Sequence, residues 1–349
     1  MKILILAGGT GKRLWPVSRR NNPKQLKPLI GGKSLLKETY QRIKKGFKAS
    51  DVFLSVGSNQ LQMVKKELGL KSPRNFIIEP LKRGTAAAIG LACLNFKPDE
   101  IIATVNSDHY IKNHREFFRV LNAAEQTVKK HPHELVLIGI NPTYPETGYG
   151  YIKLGRQIGR QGKDKVFKVD GFKEKPDKKT AEKYLKSWAY LWNPAYFVFR
   201  AGAMLELFKK HLPSQYRILM KIKKKPGLLK TEFKKIKKIS IDNGIMEKAI
   251  SMLCLPAEFD WTDIGHWRTI HEILSGKPSK NVVKGKYIHL GGTGNLVYSY
   301  SGKLIATVGI KNSIIIETAD AVLVCSKDQA QEVKKIVEKL EHDKLDEYL

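Results

Sequence analysis

The chain has 349 residues, 42% of them hydrophobic, which is enough for one large or two ordinary domains with a buried core. Lys and Arg number 63 against 33 Asp and Glu, leaving a formal charge of +30, while cysteines number only three. This composition excludes a disulfide-framed module, and no uninterrupted apolar run approaches the roughly 20 residues of a membrane span.

The first strand, Ile3 to Ala7, is too short for a signal-peptide core and runs directly into glycine. Cys93, Cys254 and Cys325 lie far apart among apolar neighbours and read as reduced core thiols, with no zinc site implied. A cytoplasmic protein is the simplest expectation. After the strand come Gly8, Gly9 and Gly11, then Arg13, with Lys24 eleven residues further on. Glycines let backbone N–H groups approach a polyphosphate, and the two cations neutralise its charge. The Lys-Ser/Thr pair of a P-loop and the third glycine of a dinucleotide fingerprint are both missing.

Leu36, Tyr40, Ile43 and Phe47 then step at helical spacing behind Ser34 as N-cap. Short apolar runs at 51–56, 75–79, 101–105 and 134–140 predict strands, and Phe117, Leu121, Ala124 and Val128 predict a helix between the last two. Strands of this kind alternating with helices predict a doubly wound α/β sheet, with ligands outside the carboxyl ends of its strands. The glycine turn lies at such an end, as does Asn106-Ser107-Asp108-His109. From about residue 149 the order is mixed, with strands in YGYIKL and KVFKVDGF, a helix near 178–188 and the apolar segment YFVFRA. Between Lys221 and Lys238, nine lysines face one acid, Glu232. The run matches no nucleic-acid module, and Phe233, Ile236 and Ile239 have helical spacing, so a lysine-covered solvated helix is expected. A positive surface of this kind also helps collect anionic substrates. SGKPSK at 275–280 reads as a linker, dividing residues 1–276 from 277–349. Beyond it, closely spaced short strands and a final helix after Ser326 predict a small β domain closed by a helix, with no clean hexapeptide repeat.

Asp108 and Asp263, the latter in DWTDIGHW, are suited to share a divalent cation, and magnesium prefers carboxylates plus phosphate oxygens. Asp260 competes for the second position. In PETGYGYIKL, the Gly148 amide has no neighbouring side chain to keep it from a sugar hydroxyl. Glu174 and Lys175 precede Pro176 as a hydroxyl acceptor and a phosphate cation, and they share one ligand only if the strand end twists. Asn193 is a polar residue in an apolar run and needs hydrogen-bond partners. Asp242 in SIDNGIMEK reads as a helix N-cap with a structural role. No His-Glu-x-x-His, Cys-x-x-Cys or Gly-x-Ser-x-Gly motif occurs. A sugar phosphate attacking a nucleotide α-phosphorus needs none, because its oxygen is already anionic near neutral pH.

The run G-G-x-G-x-R-L-W-P followed by P-K-Q resembles the signature loop of sugar-1-phosphate nucleotidyltransferases, and of the mannose-1-phosphate guanylyltransferases in particular. EPLKRGTAAAI, NSDHYI, PTYPETGYGYI, FKEKPD, LWNPAYFVF, SIDNGIMEK and DWTDIGHW follow in the family's order. The resemblance implies GTP and α-D-mannose 1-phosphate as substrates, GDP-mannose and pyrophosphate as products, and Mg²⁺ as cofactor. It implies a nucleotide-diphospho-sugar transferase fold with a left-handed β-helix-like C-terminal domain, often used for homodimerisation. Neither nucleic acid nor membrane is an expected partner. Carried over, Gly8, Gly9, Gly11 and Thr85 would hold the nucleotide, and Arg13 and Lys24 its phosphates. Asp108 and Asp263 would hold the metal, with Asp108 also on the nucleotide side. Gly148, Glu174 and Asn193 would meet the hexose, and Lys175 its phosphate. The chain departs from the family with Gly84 for the usual asparagine and Ala87 for the usual proline, near the base. On the sugar side, Pro194-Ala195 replaces Ser-Gly. Another nucleotide or hexose 1-phosphate, or an inactive homologue, are the alternatives, and the intact Arg13, Lys24, Asp108 and Asp263 argue for activity.

Overall fold

The computed structural model describes residues 1–9, 11–72 and 74–349. Ten strands form one mixed sheet. Its order is Met252–Ala257, Asp164–Glu174, Gly150–Gln161, Tyr190–Asn193, Leu135–Ile140, Phe197–Arg200, Ile101–Asn106, Lys2–Leu6, Val52–Gly57, Phe76–Glu79. The last four are parallel, as the apolar runs predict. Phe197–Arg200 then inserts antiparallel between Ile101–Asn106 and Leu135–Ile140. Beyond it, Gly150–Gln161 and Asp164–Glu174 make a long, irregular antiparallel hairpin.

Alternation along the strands explains helices on both faces. Leu4, Ile102, Leu137, Phe197 and Phe199 join one apolar cluster with Ala86, Ile89, Met204, Phe208 and Leu219 from the helices Thr85–Cys93, Ala201–His211 and Pro213–Lys224. Ile3, Ile5, Ala103, Val105 and Val198 are also buried but lie outside that cluster. On this second layer, helix His114–Lys130 sets Phe117 edge-on to Tyr196 and Phe259. Its start is fixed by Asn113, whose side chain accepts from the Glu116 N–H at 3.0 Å. The doubly wound reading of the sheet therefore holds.

The lysine-rich segment departs from the single helix expected. Helix Pro213–Lys224 stops, Pro226–Leu228 forms a 3-10 turn, and Leu229–Phe233 adds a short helix. Pro226 cannot supply the N–H that a continuous helix needs there. Phe233 and Ile236 are nevertheless buried.

Grouped by contacts, the chain forms two units: Met1–Gly8, Tyr40–Ser107 and Ile111–Trp261 in the first; Gly9–Thr39, Asp108–Tyr110 and Thr262–Leu349 in the second. The second is built around β-helical coils. Val282–Lys284, Leu296–Ser299 and Ser313–Glu317 stack in parallel, as do Tyr287–Leu290 and Ile305–Val308. Val322–Ser326 closes the stack antiparallel. The register runs Val282 to Leu296 to Ile314, in unequal steps, so no hexapeptide repeat is visible. Inside the unit, Leu296, Tyr298, Ile314 and Ile316 share a core with Leu14, Trp15, Leu29 and Trp267. The Trp267 indole N–H donates to the Trp15 carbonyl at 2.9 Å, and the Trp15 indole N–H to the Tyr348 carbonyl at 2.8 Å. Thus the stretch after the glycine turn is structurally part of the unit that holds the coils. The closing segment begins as a 3-10 turn, Lys327–Glu332, before helix Val333–His342. Among the described residues no helix is long and apolar enough to cross a membrane, and the three cysteines are free.

Gly84 opens helix Thr85–Cys93 at a φ of 88°, and a Cβ there would fall 2.2 Å from the Ile239 carbonyl oxygen. The same carbonyl accepts the Ala86 N–H, while the Ile239 N–H donates to the Arg83 carbonyl. The family's usual asparagine at this position therefore has no room in this backbone. Gly84→Ala is expected to cost ~2 kcal/mol or more, from left-handed strain plus the clash. Urea unfolding checks this, and an unchanged midpoint would contradict it.

Candidate active site

The parallel strands Lys2–Leu6 and Ile101–Asn106 end side by side, with the Ser107 N–H donating to the Leu6 carbonyl at 3.2 Å. One strand runs on into Gly8 and Gly9, the other into Asp108. In the first unit, Gly8 lies in ordinary contact distance of Glu79, a buried carboxylate that accepts from the Ser55 hydroxyl at 2.8 Å. Burial pushes the Glu79 carboxyl up, opposed by Ser55 and Lys82.

In the second unit, Gly11 has φ 66° and packs against Lys24, leaving no space for a Cβ, which would come within 2.6 Å of the lysine Cβ. Lys24 is thereby held in the interior. Its ammonium lies 2.5 Å from Asp108 Oδ2 and 3.9 Å from Asp263 Oδ1, and it donates to the Ile264 carbonyl at 3.1 Å. Burial works against its charge, but the two carboxylates outweigh burial and hold the lysine above its ordinary range. Asp108 shows the reciprocal effect: burial pushes it up, yet Lys24 and His109 carry it below the usual carboxylate range. The Ile264 N–H donates to the Asp108 carbonyl at 3.4 Å, which fixes the two acidic segments to each other.

Asp108, His109 and Asp263 each offer a ligand atom, all within 4.8 Å of one another. The two expected aspartates are brought together, and His109, which follows Asp108 in the chain, stands with them. Asp260 does not join this cluster; its carbonyl accepts the Lys112 N–H instead. A Cβ on Gly265 would sit 3.3 Å from Asp263 Oδ2 and 3.7 Å from Arg13 Nη1, so this glycine lets the guanidinium and carboxylate approach the same space. His266 caps helix Trp267–Ser275, its ring accepting from the Thr269 N–H. Burial, with Arg13 nearby, takes its pKa down to about 4 despite Asp263. It is neutral near pH 7 and adds no charge.

The expected sugar-side residues gather in the first unit. Strand Asp164–Glu174 ends, Lys175 adopts a left-handed φ of 49°, and its ammonium folds back onto Glu174. The strand end thus turns, which lets neighbouring side chains serve one place. A Cβ on Gly150 would meet Glu174 Oε2 at 2.6 Å and Asn193 Cβ at 3.3 Å, so Gly150 is the glycine that admits these groups. The Gly148 amide, expected to face a hydroxyl, donates instead to Glu146 Oε1 at 2.7 Å. Thr85, expected on the nucleotide side, accepts the Ile241 N–H at 2.8 Å. Asp242 is not an N-cap: its segment Asp242–Met246 is wound as a π-helix, and no side chain caps it. Asp242 Oδ1 accepts from the Asn193 amide at 3.0 Å. Sequence reading missed this because the two residues are 49 positions apart.

Comparison with known proteins places the chain in a family. The Nucleotidyl transferase family model matches residues 2–279, and the MannoseP isomerase/GMP-like beta-helix domain matches residues 285–340. A mannose-1-phosphate guanylyltransferase from Salmonella muenchen is 34% identical over 358 residues, 99% of this chain and 74% of that protein. The xanthan biosynthesis protein XanB of Xanthomonas campestris pv. campestris is 35% identical over 354 residues, 97% of this chain and 72% of that one. The crystal structure of a mannose-1-phosphate geranyltransferase from Thermus thermophilus superposes with a TM-score of 0.88 at 34% identity, covering 97% of this chain and 99% of that chain. On coverage, identity and fold together, this chain belongs to the nucleotidyl transferase family and carries its GMP-like β-helix domain.

Proposed function

We propose that this protein is a mannose-1-phosphate guanylyltransferase, joining GTP and α-D-mannose 1-phosphate to give GDP-mannose and pyrophosphate. The observation that carries the reading is the buried Lys24 ammonium between Asp108 and Asp263, behind a glycine turn that also bears Arg13. Relatives near 34% identity that are mannose-1-phosphate guanylyltransferases support the guanine and mannose assignments.

In the reaction, a phosphate oxygen of the sugar phosphate attacks the nucleotide α-phosphorus. One P–O bond forms as the bond to pyrophosphate breaks, with no proton to remove from an already anionic nucleophile. The protein's work is therefore positioning and charge neutralisation. Lys24 and Arg13 take charge from the triphosphate and from departing pyrophosphate. Glu174 and Asn193 accept and donate to hexose hydroxyls, and Lys175 holds the sugar's phosphate. The carboxylates of Asp108 and Asp263 already accommodate a cation, the lysine ammonium, and oxygen donors of this kind suit Mg²⁺. Those two residues would hold the ion, which supplies charge neutralisation on phosphate oxygens when bound.

The reading also includes a catalytic stretch at 1–276, a β domain at 277–349, a cytoplasmic setting and a homodimer through the β domain. Supporting the last, Ile288, Leu290 and Val308 expose apolar side chains on the outer coil strands Tyr287–Leu290 and Ile305–Val308.

Pyrophosphate release is expected with GTP and mannose 1-phosphate, and to stop on chelation of divalent metal. Equal use of ATP or UTP would refute the guanine assignment. Lys24→Met is expected to lower kcat by about 10²–10³, the cost of removing one charge-stabilising donor. A melting curve checks that the variant is folded; unaltered kcat would contradict the role given to Lys24. Sedimentation is expected to give two copies, falling to one with Leu290→Glu, and a monomeric parent protein would overturn the dimer.

A further inference from the structure

The geometry points to Asp242 as a positioning residue of the sugar side, buried behind Asn193 and fixing which amide hydrogen is left for a hexose hydroxyl. This deepens the assignment proposed above and rests on it.

Asn193 and Asp242 are 8% and 9% exposed, so neither is an ordinary surface group. The Asn193 carboxamide is held at both ends. Its Oδ1 accepts the Ala195 N–H at 2.9 Å, across a turn in which Ala195 has a left-handed φ of 55°. Its Nδ2 donates to Asp242 Oδ1 at 3.0 Å. A carboxamide has two N–H donors, so one remains, and its direction is set by the bond to Asp242. Without Asp242 only the Ala195 N–H would hold the amide about its last torsion, which is soft and roughly two-fold.

Asp242 reaches this position because its segment is wound as a π-helix, a form common at functional sites. Its own carbonyl accepts the Glu247 N–H, and the Glu247 carboxylate in turn accepts the Glu174 N–H at 3.1 Å. The segment thus fastens Asn193 with one carboxylate and the strand end at Glu174 with another. The charged groups acting on Asp242 are Glu174 and Lys175, from the strand end packed against it. Burial, and then the negative charge of Glu174, raise its pKa to about 7, while Lys175 and the Asn193 bond pull the other way. The direction is that of a carboxyl kept neutral below about pH 7 and ionised above it. Ionisation adds a second negative charge beside Glu174, where an anionic sugar phosphate is to bind. Affinity for the sugar should therefore weaken as pH rises through that value.

The experiment measures KM for mannose 1-phosphate and for GTP separately, from about pH 6 to 8, in the full-length protein and in Asp242→Asn and Asp242→Ala. Direct calorimetric titration of mannose 1-phosphate gives a second readout. Asp242→Ala is expected to raise the sugar KM about tenfold, the loss of one hydrogen bond in a buried site, with the GTP KM within about twofold. Asp242→Asn keeps an acceptor for Asn193, so its sugar KM at about pH 6 should stay within about twofold of the parent. The rise in sugar KM above about pH 7 should vanish in Asp242→Asn, leaving only the substrate's own phosphate ionisation near pH 6. Equal effects of the two substitutions, equal shifts in both KM values, or a pH rise that persists in Asp242→Asn would each overturn the positioning role. Failure of the parent protein to turn over mannose 1-phosphate at all would instead overturn the sugar assignment itself.

Discussion

A buried lysine between two carboxylates is the constraint on which the candidate phosphate site depends. Burial works against the Lys24 charge, and Asp108 and then Asp263 outweigh it, while Lys24 in turn holds the buried Asp108 below the usual carboxylate range. The trio ties together three segments far apart in sequence: the stretch after the glycine turn, the strand end at residue 108, and DWTDIGHW. Gly11 allows the lysine to lie inside, and Gly265 lies close to both the Asp263 carboxylate and the Arg13 guanidinium. The same segments extend into the β-helical core through Trp15 and Trp267, so the chemistry rests on packed tryptophans rather than on a free loop.

The sugar-side cluster is ordered by a different device. Here Asp242 accepts from the Asn193 amide, Glu174 pairs with the Lys175 ammonium, and Glu247 accepts the Glu174 N–H. Burial and the neighbouring Glu174 raise the Asp242 carboxyl to about 7, so it sheds its charge more readily than an ordinary carboxylate. Lys175 turns back at the strand end, and Gly150 leaves room for the side chains that meet there. Both clusters use glycine where a side chain would occupy the functional space.

Much of this was legible in the sequence where a physical signal is local. Apolar runs at 101–105 and 134–140 mark buried strands of the central sheet, and Phe117, Leu121, Ala124 and Val128 mark the buried face of the helix between them. The resemblance to the family's motifs singles out Arg13, Lys24, Asp108 and Asp263, and the last three do lie together. Non-local pairings were not readable. The Asn193–Asp242 bond and the place of His109 beside Asp263 come from tertiary packing, and Asp242 resembles a cap because Asp is common in that role. The β-helix coils hid their repeat because loops of unequal length separate Val282, Leu296 and Ile314. The helical spacing of Phe233, Ile236 and Ile239 suggests a helix through the lysine-rich run, but Pro226 removes the backbone donor that would continue it.

If the lysine ammonium stands where a divalent cation is to bind, cation and lysine cannot hold the same carboxylates in the same way once triphosphate is present. The direct test is diffraction from crystals grown with Mn²⁺ and a non-hydrolysable GTP analogue, with the ion located by its anomalous scattering. The account predicts a peak bonded to Asp108 and Asp263, with the Lys24 ammonium moved from Asp108 onto a phosphate oxygen. A peak away from both aspartates, or Lys24 still seated between them, would contradict it.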